Sequence, residues 1–440
     1  MNQIDLEKLG IPTVTIVTGP FIGDAKASAL GVGMPDMALV VVPHPMGGIS
    51  LGAVHEKAEA AFPEILKAAT QWKPGITELP RLKSPYPAEK FRLTGSYFEV
   101  NRLFFEKGWS NGLPIVPPTS ELVEAMLKGT SHLPDEVLWE VPPRCGILTI
   151  ELVAVHAVMA GCKPEYMPVL LAALDGLRSD KMSWRSAATT THPSSPLIIV
   201  NGPIRKELDI AYGTGAAGGW YHPNVSIGYA LNLICDIVGG AKPPNVDKTT
   251  LGYPGNIIAT VIGENEDANP WEPYHVEKGY RKTDNILTVT VGGPPVNWQD
   301  HASPNIEQVM RIAADTVNYP GQDGSCYRTP DMGWGGDVFL ILGEEFASLL
   351  KMEGWTKDAI RKFIFENGRH SIGQLQADCV KIAEKRLGRK VTPDTLVPAC
   401  DNPEQIQIIV SGGMGKHSQY WPSCPGGPDH PIMVEIDAWK

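Results

Sequence analysis

The chain has 440 residues, 43% of them hydrophobic and 20% charged, which excludes wholesale disorder and exceeds one ordinary core, so two domains are expected. A formal net charge of −11 argues against the clustered basic surface that nucleic acids require. No window approaches the roughly 18 uninterrupted apolar residues of a membrane span, and the expectation is a cytoplasmic protein that binds neither nucleic acid nor membrane.

In chain order, residues 4–9 read as a helix end stopping at Gly10, and Pro12–Thr18 as a strand rich in β-branched residues. A helix is expected over 20–32, with alanines at its packing positions. The run Ala38–Val42 reads as a strand covered on both faces, closing in Pro43-His44-Pro45, and 51–70 resumes a helical period. Strand, helix, strand, helix predicts a small parallel α/β layer over 1–72. Four prolines in 71–98 mark a linker, placed at 73–98, and 99–440 reads as a larger mixed α/β domain. Its helices are expected at about 99–108, 119–129 (capped by Thr119 or Ser120), 165–178, 224–238, 304–317, 344–352, 356–367 and 371–387. Its strands are expected at 197–200, 257–262, 286–291, 338–342 and 406–410, with no internal repeat.

Seven cysteines, an odd number without a Cys-x-x-Cys pair, fit neither a paired zinc site nor a secreted disulfide framework. Cys162, at a helix C-terminus, reads as packed and inert. Cys145, beside Arg144 in a proline turn, has the better electrostatic setting for a reactive thiol. Thr189-Thr-Thr-His192 and Glu264-Asn265-Glu266, followed by His275, supply acid–base candidates. Gly213–Gly219, with Gly215 and Gly218, precedes a helix and offers amides to an anion, although it matches no nucleotide fingerprint. Ser411–Ser418 repeats that theme with Lys416 and His417, while Asp323–Cys326 reads as a turn. His44, Asn201, Gly215, Gly218, Lys416 and His417 are therefore expected to bind substrate, and His192, His275, Cys145 and Glu264 to act on it. No metal ligand set and no cofactor fingerprint stands out.

Leu6–Val14, Met34-Pro35-Asp36 and Leu39–Gly48 resemble the carboxyl half of the UGSC-motif (seleno)protein family. That family is named for a U/C-Gly-Ser-Cys motif placed before this region. The resemblance implies thiol or selenol redox chemistry and an α/β layer. The motif itself is not in this stretch, and Asp323-Gly-Ser-Cys326 stands in the wrong place to supply it. From about residue 110 onward the chain is similar to a large domain associated with the same family. The resulting expectation is an enzyme, or the large subunit of an enzyme complex, acting on a small polar metabolite by thiol, redox or sulfur-related chemistry. The alternatives are a scaffold for a partner carrying the reactive motif, and a metal-dependent hydrolase or lyase. A small subunit completing the thin N-terminal layer, and an oligomer, are the expected partners, since an open sheet edge invites pairing.

Overall fold

Two strands and two helices open the chain, in the order the sequence predicts. The computed structural model describes residues 6–7, 9–72, 85–319, 336–375, 378–424 and 426–440. β1 (Thr15–Thr18) pairs in parallel with β2 (Leu39–Val42), and α1 (Ile22–Gly31) makes the crossover. α2 (Leu51–Gln71) lies over one face, where Val40, Val42 and Ala61 form a small core with Ile65 and Ala68. The expectation that this strand is covered on both faces fails. Ile16 and Val41 alternate outward and remain 54% and 47% exposed, because the described residues place only one layer of helix against the pair.

The linker expected at 73–98 falls partly outside the described residues, and the Asp323–Cys326 turn lies wholly outside them. Its described end is fixed by a capping box in which Ser96 and Glu99 bond each other's backbone, opening α3 (Tyr97–Glu106). Thr119 caps α4 (Ser120–Leu127). A hairpin that sequence reading missed follows, with β3 (Val137–Val141) antiparallel to β4 (Gly146–Thr149). Three helices then pack beside it: α5 (Ile150–Met159), α6 (Met167–Leu177) and α7 (Trp184–Thr189).

The rest is built on two four-stranded sheets. The first holds β5 (Ser195–Asn201), β6 (Thr260–Gly263) and β7 (Ile286–Gly292), with α8 (His222–Ile237) crossing from β5 to β6. The next strand, β8 (Val296–Gln299), leaves that sheet and joins the second, followed by α9 (Ile306–Val317) and β9 (Val338–Leu342). Beyond β9 come α10 (Glu344–Met352), α11 (Lys357–Asn367), a small pair of β10 (Arg369–Ser371) with β11 (Leu396–Pro398), and α12 (Asp378–Leu387) between them. β12 (Ile406–Val410), β13 (His417–Trp421) and β14 (Ile432–Glu435) complete the strands.

The strand orders are β6-β5-β7-β14 and β12-β9-β13-β8. In each sheet a parallel pair stands at one edge (β5 with β6, β9 with β12), followed by two antiparallel neighbours. The two halves thus repeat one topology without repeating sequence, and they exchange their last strands: β8 pairs with β13, and β14 with β7. Where the two exchanging segments pass each other, Gly292 bridges Ser423 and Gly293 N–H donates to the Pro422 carbonyl at 3.1 Å.

The sheets pack face to face. Leu197, Ile199 and Ile262 of one meet Phe339, Ile341, Ile409 and Trp421 of the other. The alternate residues, Ile198 and Val200 on one side and Leu340 and Leu342 on the other, face the helices. The order through the molecule is helix, sheet, sheet, helix, and α5, α6 and α8 form one outer layer while α9, α10 and α11 form the other. No helix of the described residues is long and apolar enough to cross a membrane.

The inter-sheet layer generates a stability test. Ile199→Ala should cost about 2–5 kcal/mol through lost burial and the cavity it leaves, whereas Ile16→Ala on the open face should stay within about 0.5 kcal/mol. Urea denaturation of both variants checks the contrast.

Candidate functional site

The residues expected to share one site fall at separate places. β5 runs seven residues from Ser195 to Asn201, roughly 20 Å at about 3.3 Å per residue. His192 lies before its first residue, and Asn201 is its last. His192 Nδ1 stands 3.3 Å from the Ser194 hydroxyl, and its ring fills the space beside Gly293. His44 belongs to the N-terminal layer, where its Nδ1 lies 3.1 Å from Thr18 Oγ1 across the ends of β1 and β2. A single site lined by all of these residues is therefore excluded by distance along the sheet.

Asn201, Glu264 and His275 do come together, at the carboxyl ends of β5 and β6. Asn201 Nδ2 donates to Glu264 at 2.6 Å, and Asn269 and the Tyr274 N–H donate to the same carboxylate at 2.7 Å each. Glu266, beside it, accepts from the Gly202 N–H at 2.7 Å and from Arg205 Nε at 3.0 Å. Arg205 also lies over the Tyr212 ring. Glu264 and His275 are wholly buried. Burial pushes the Glu264 carboxyl up, against the Lys357 charge and the bonds from Asn201 and Tyr274. Burial likewise pushes the His275 imidazole down, against the pull of Glu266. Among the described residues neither His275 ring nitrogen has a hydrogen-bond partner of good geometry, although the Lys282 backbone lies near enough to raise its basicity. The cluster is a packed network that ties strand ends together, and it encloses its groups rather than presenting them.

The two glycine loops, some 200 positions apart, meet beside this network. Gly412 N–H donates to the Tyr212 carbonyl at 2.8 Å, and Ser411 Oγ to the Gly263 carbonyl at 2.8 Å. A Cβ on Gly413 would stand 2.0 Å from Thr214 Oγ1, so glycine there permits the contact. Gly215 sits at φ 75° and its carbonyl accepts from Gly218 N–H. The contacts join the two loops at Tyr212–Thr214 and Ser411–Gly413, while the His417 ring reaches Asn297 and lies 5.3 Å from that of His301.

Cys145 is held elsewhere, in the turn between β3 and β4. It adopts a left-handed φ of 56°, uncommon for a side-chain-bearing residue. Arg185, from α7, donates from Nη1 to the Pro143 carbonyl at 3.0 Å and from Nη2 to Cys145 Sγ at 3.3 Å. The sequence neighbour Arg144 turns away and packs over Gly240. A guanidinium on sulfur is the setting in which a thiol becomes nucleophilic. The N-terminal layer presses on this turn. A Cβ on Gly31 would stand 2.5 Å from the Pro143 carbonyl, and one on Gly23 would stand 2.4 Å from that of Asn245. Asp24, on the same helix, feels the charges of Arg185 and Lys248. Burial nonetheless pushes its carboxyl up. At Cys162, which is half-buried like Cys145, desolvation of the sulfur pushes the thiol up to about 12.

Arg185 and Asp24 escaped the sequence reading, because their only signal is contact across the fold. Among the described residues, no group of three or more His, Cys, Asp or Glu side chains is placed to hold a metal ion.

Residues 1–71 match the family model described as UGSC family. No curated protein and no solved structure matches the chain.

The strand-end network makes its own prediction. Arg205→Met leaves Glu266 buried without its cation and should destabilise the protein by about 3–5 kcal/mol. Adding Glu266→Gln should recover part of that loss in urea denaturation. A change below about 1 kcal/mol, the range of exposed ion pairs, would mean that water reaches Glu266.

Proposed function

We propose that this chain, whose first 71 residues are UGSC-like, is an enzyme or the large subunit of one, acting on a small polar metabolite by thiol chemistry at Cys145. The observation that carries this reading is the Arg185 Nη2–Cys145 Sγ contact of 3.3 Å. It places a fixed positive charge on the sulfur, in a turn that the UGSC-like layer packs against. Arg185 would hold the sulfur in place, and the left-handed turn would fix the direction in which it is presented. Asp24 brings a carboxyl from the UGSC-like layer within range of the same guanidinium.

A second reading is favoured by one observation. β1 and β2 pair only with each other among the described residues, and they leave Ile16 and Val41 outward. Such a layer suits a scaffold whose partner adds strands and supplies further reactive groups.

Iodoacetamide labelling with peptide mapping separates these readings. Cys145 should be alkylated at least about tenfold faster than the buried Cys235, Cys400 and Cys424, and Arg185→Met should slow it several-fold. Labelling no faster than that of Cys162 would remove the thiol reading. In native mass spectrometry of protein taken gently from its source, a second small chain at fixed stoichiometry would support the scaffold. The chain alone would count against it.

A further inference from the structure

β14 is the edge of its sheet, four residues long and mostly half-exposed, and among the described residues its ladder is with β7 alone. Its entry is pinned by backbone. Asp337 N–H donates to the Asp429 carbonyl at 3.0 Å, and a Cβ on Gly336 would stand 1.9 Å from that oxygen. Its exit is pinned by the loop Thr130–His132, which grips the turn Ile436–Trp439. Thr130 Oγ1 donates to the Trp439 carbonyl at 2.8 Å, and Ser131 Oγ to the Lys440 carbonyl at 2.6 Å. The His132 ring stacks on that of buried Trp439, with centroids 4.7 Å apart and planes 27° from parallel. Both of its nitrogens face oxygen. Nδ1 lies 2.9 Å from the Glu136 carboxylate, and Nε2 lies 3.2 Å from the Ala438 carbonyl.

A carboxylate and a backbone carbonyl only accept. A neutral imidazole has one N–H, so it serves one of them and turns a lone pair on the other, whereas the imidazolium serves both. We propose that His132 is a pH-sensitive clip, closing the exit of β14 when protonated and loosening it when neutral. The charges around the ring act through Glu136. On the gripped turn Asp437 is paired with Lys440 at 2.6 Å, and on the α6 side Arg178, which lies over Trp439, is paired with Asp175 at 2.7 Å. The bond to Glu136 outweighs burial and holds the imidazole above its usual range. A basic group whose pKa rises on folding contributes fully below its ordinary value, about 6.5 for histidine, and loses that contribution as pH rises through the raised value. Loosening also has a place to act. A groove of about 580 Å³ beside β14 is walled by Arg178, the strand itself, Ala438 and Trp439. Freeing the last two moves one wall and lets the strand fray from β7. The clip uses no residue of the Cys145 turn.

Hydrogen exchange of the full chain at about pH 6 and about pH 8.5, either side of the ordinary histidine value, tests the clip once each rate is divided by its intrinsic value at that pH. Peptides covering 432–440 report on the clip, and peptides covering β9 serve as the reference. Corrected exchange of 432–440 should rise at least about threefold at the higher pH, the scale of a partly exposed charged contact, while β9 stays unchanged. His132→Gln should exchange at the raised rate at both pH values. Glu136→Gln should stay protected at both, because its amide N–H can donate to Nδ1 of the neutral ring while the Nε2 proton keeps the Ala438 carbonyl. A histidine that merely fills space would not separate these two variants. If His132→Gln does not fold, Glu136→Gln carries the test. Equal corrected exchange of 432–440 at both pH values in the unaltered chain, or an unchanged pH dependence in Glu136→Gln, would overturn the clip.

Discussion

Each of the two central sheets has to be covered twice, by the other sheet on its inner face and by helices on its outer one, and most of the architecture follows from that demand. β5 and β9 have every residue buried, so their backbones can be satisfied only by neighbouring strands, and their side chains alternate between two apolar environments. The demand is hardest at the strand ends, where the ladder stops before the protein does. There Asn201, Glu264, Glu266 and Arg205 take over, bonding one another and the freed N–H groups of Gly202 and Tyr274. Their enclosure follows from this work, and it explains why residues with the chemistry of an active site serve as a seam.

Doubly covered strands are also the ones the sequence displays best. Leu197–Val200, Val338–Leu342 and Ile406–Val410 appear as unbroken apolar runs, since neither face tolerates a polar residue. β8, β13 and β14 were invisible for the opposite reason. Asn297, His417, Gln419 and Glu435 keep solvent on one side of short strands, and a four- or five-residue alternation does not rise above loop composition. The repeated topology was equally hidden. What repeats is an order of hydrogen-bonded neighbours, while the strand ends that correspond, Asn201-Gly202-Pro203 and Gly343-Glu344-Glu345, share no chemistry.

The candidate thiol shows how far local sequence can guide and where it misleads. A cysteine beside an arginine in a proline turn was reason enough to single out Cys145, yet the arginine that matters is 40 positions away. Arg144 cannot serve, because the left-handed turn carries its side chain over Gly240, which would clash with anything larger than hydrogen. The same turn receives the N-terminal layer at Gly31, where backbone meets backbone with no side chain between, and Gly23 meets the Asn245 backbone in the same way. Contacts that close transmit small displacements directly.

The exchange of β8 and β14 also bears on the order of events during synthesis. The first sheet gains its last strand from residues 432–435, about 140 positions after β7 ends at Gly292. While the chain is still emerging, β7 must wait with an open edge, although every other strand of its sheet has long been available. That half of the molecule thus cannot close until every strand of the second sheet has been synthesised. A nascent chain of this topology depends on protection of that edge for the whole interval, because an unpaired strand is the surface on which growing chains associate.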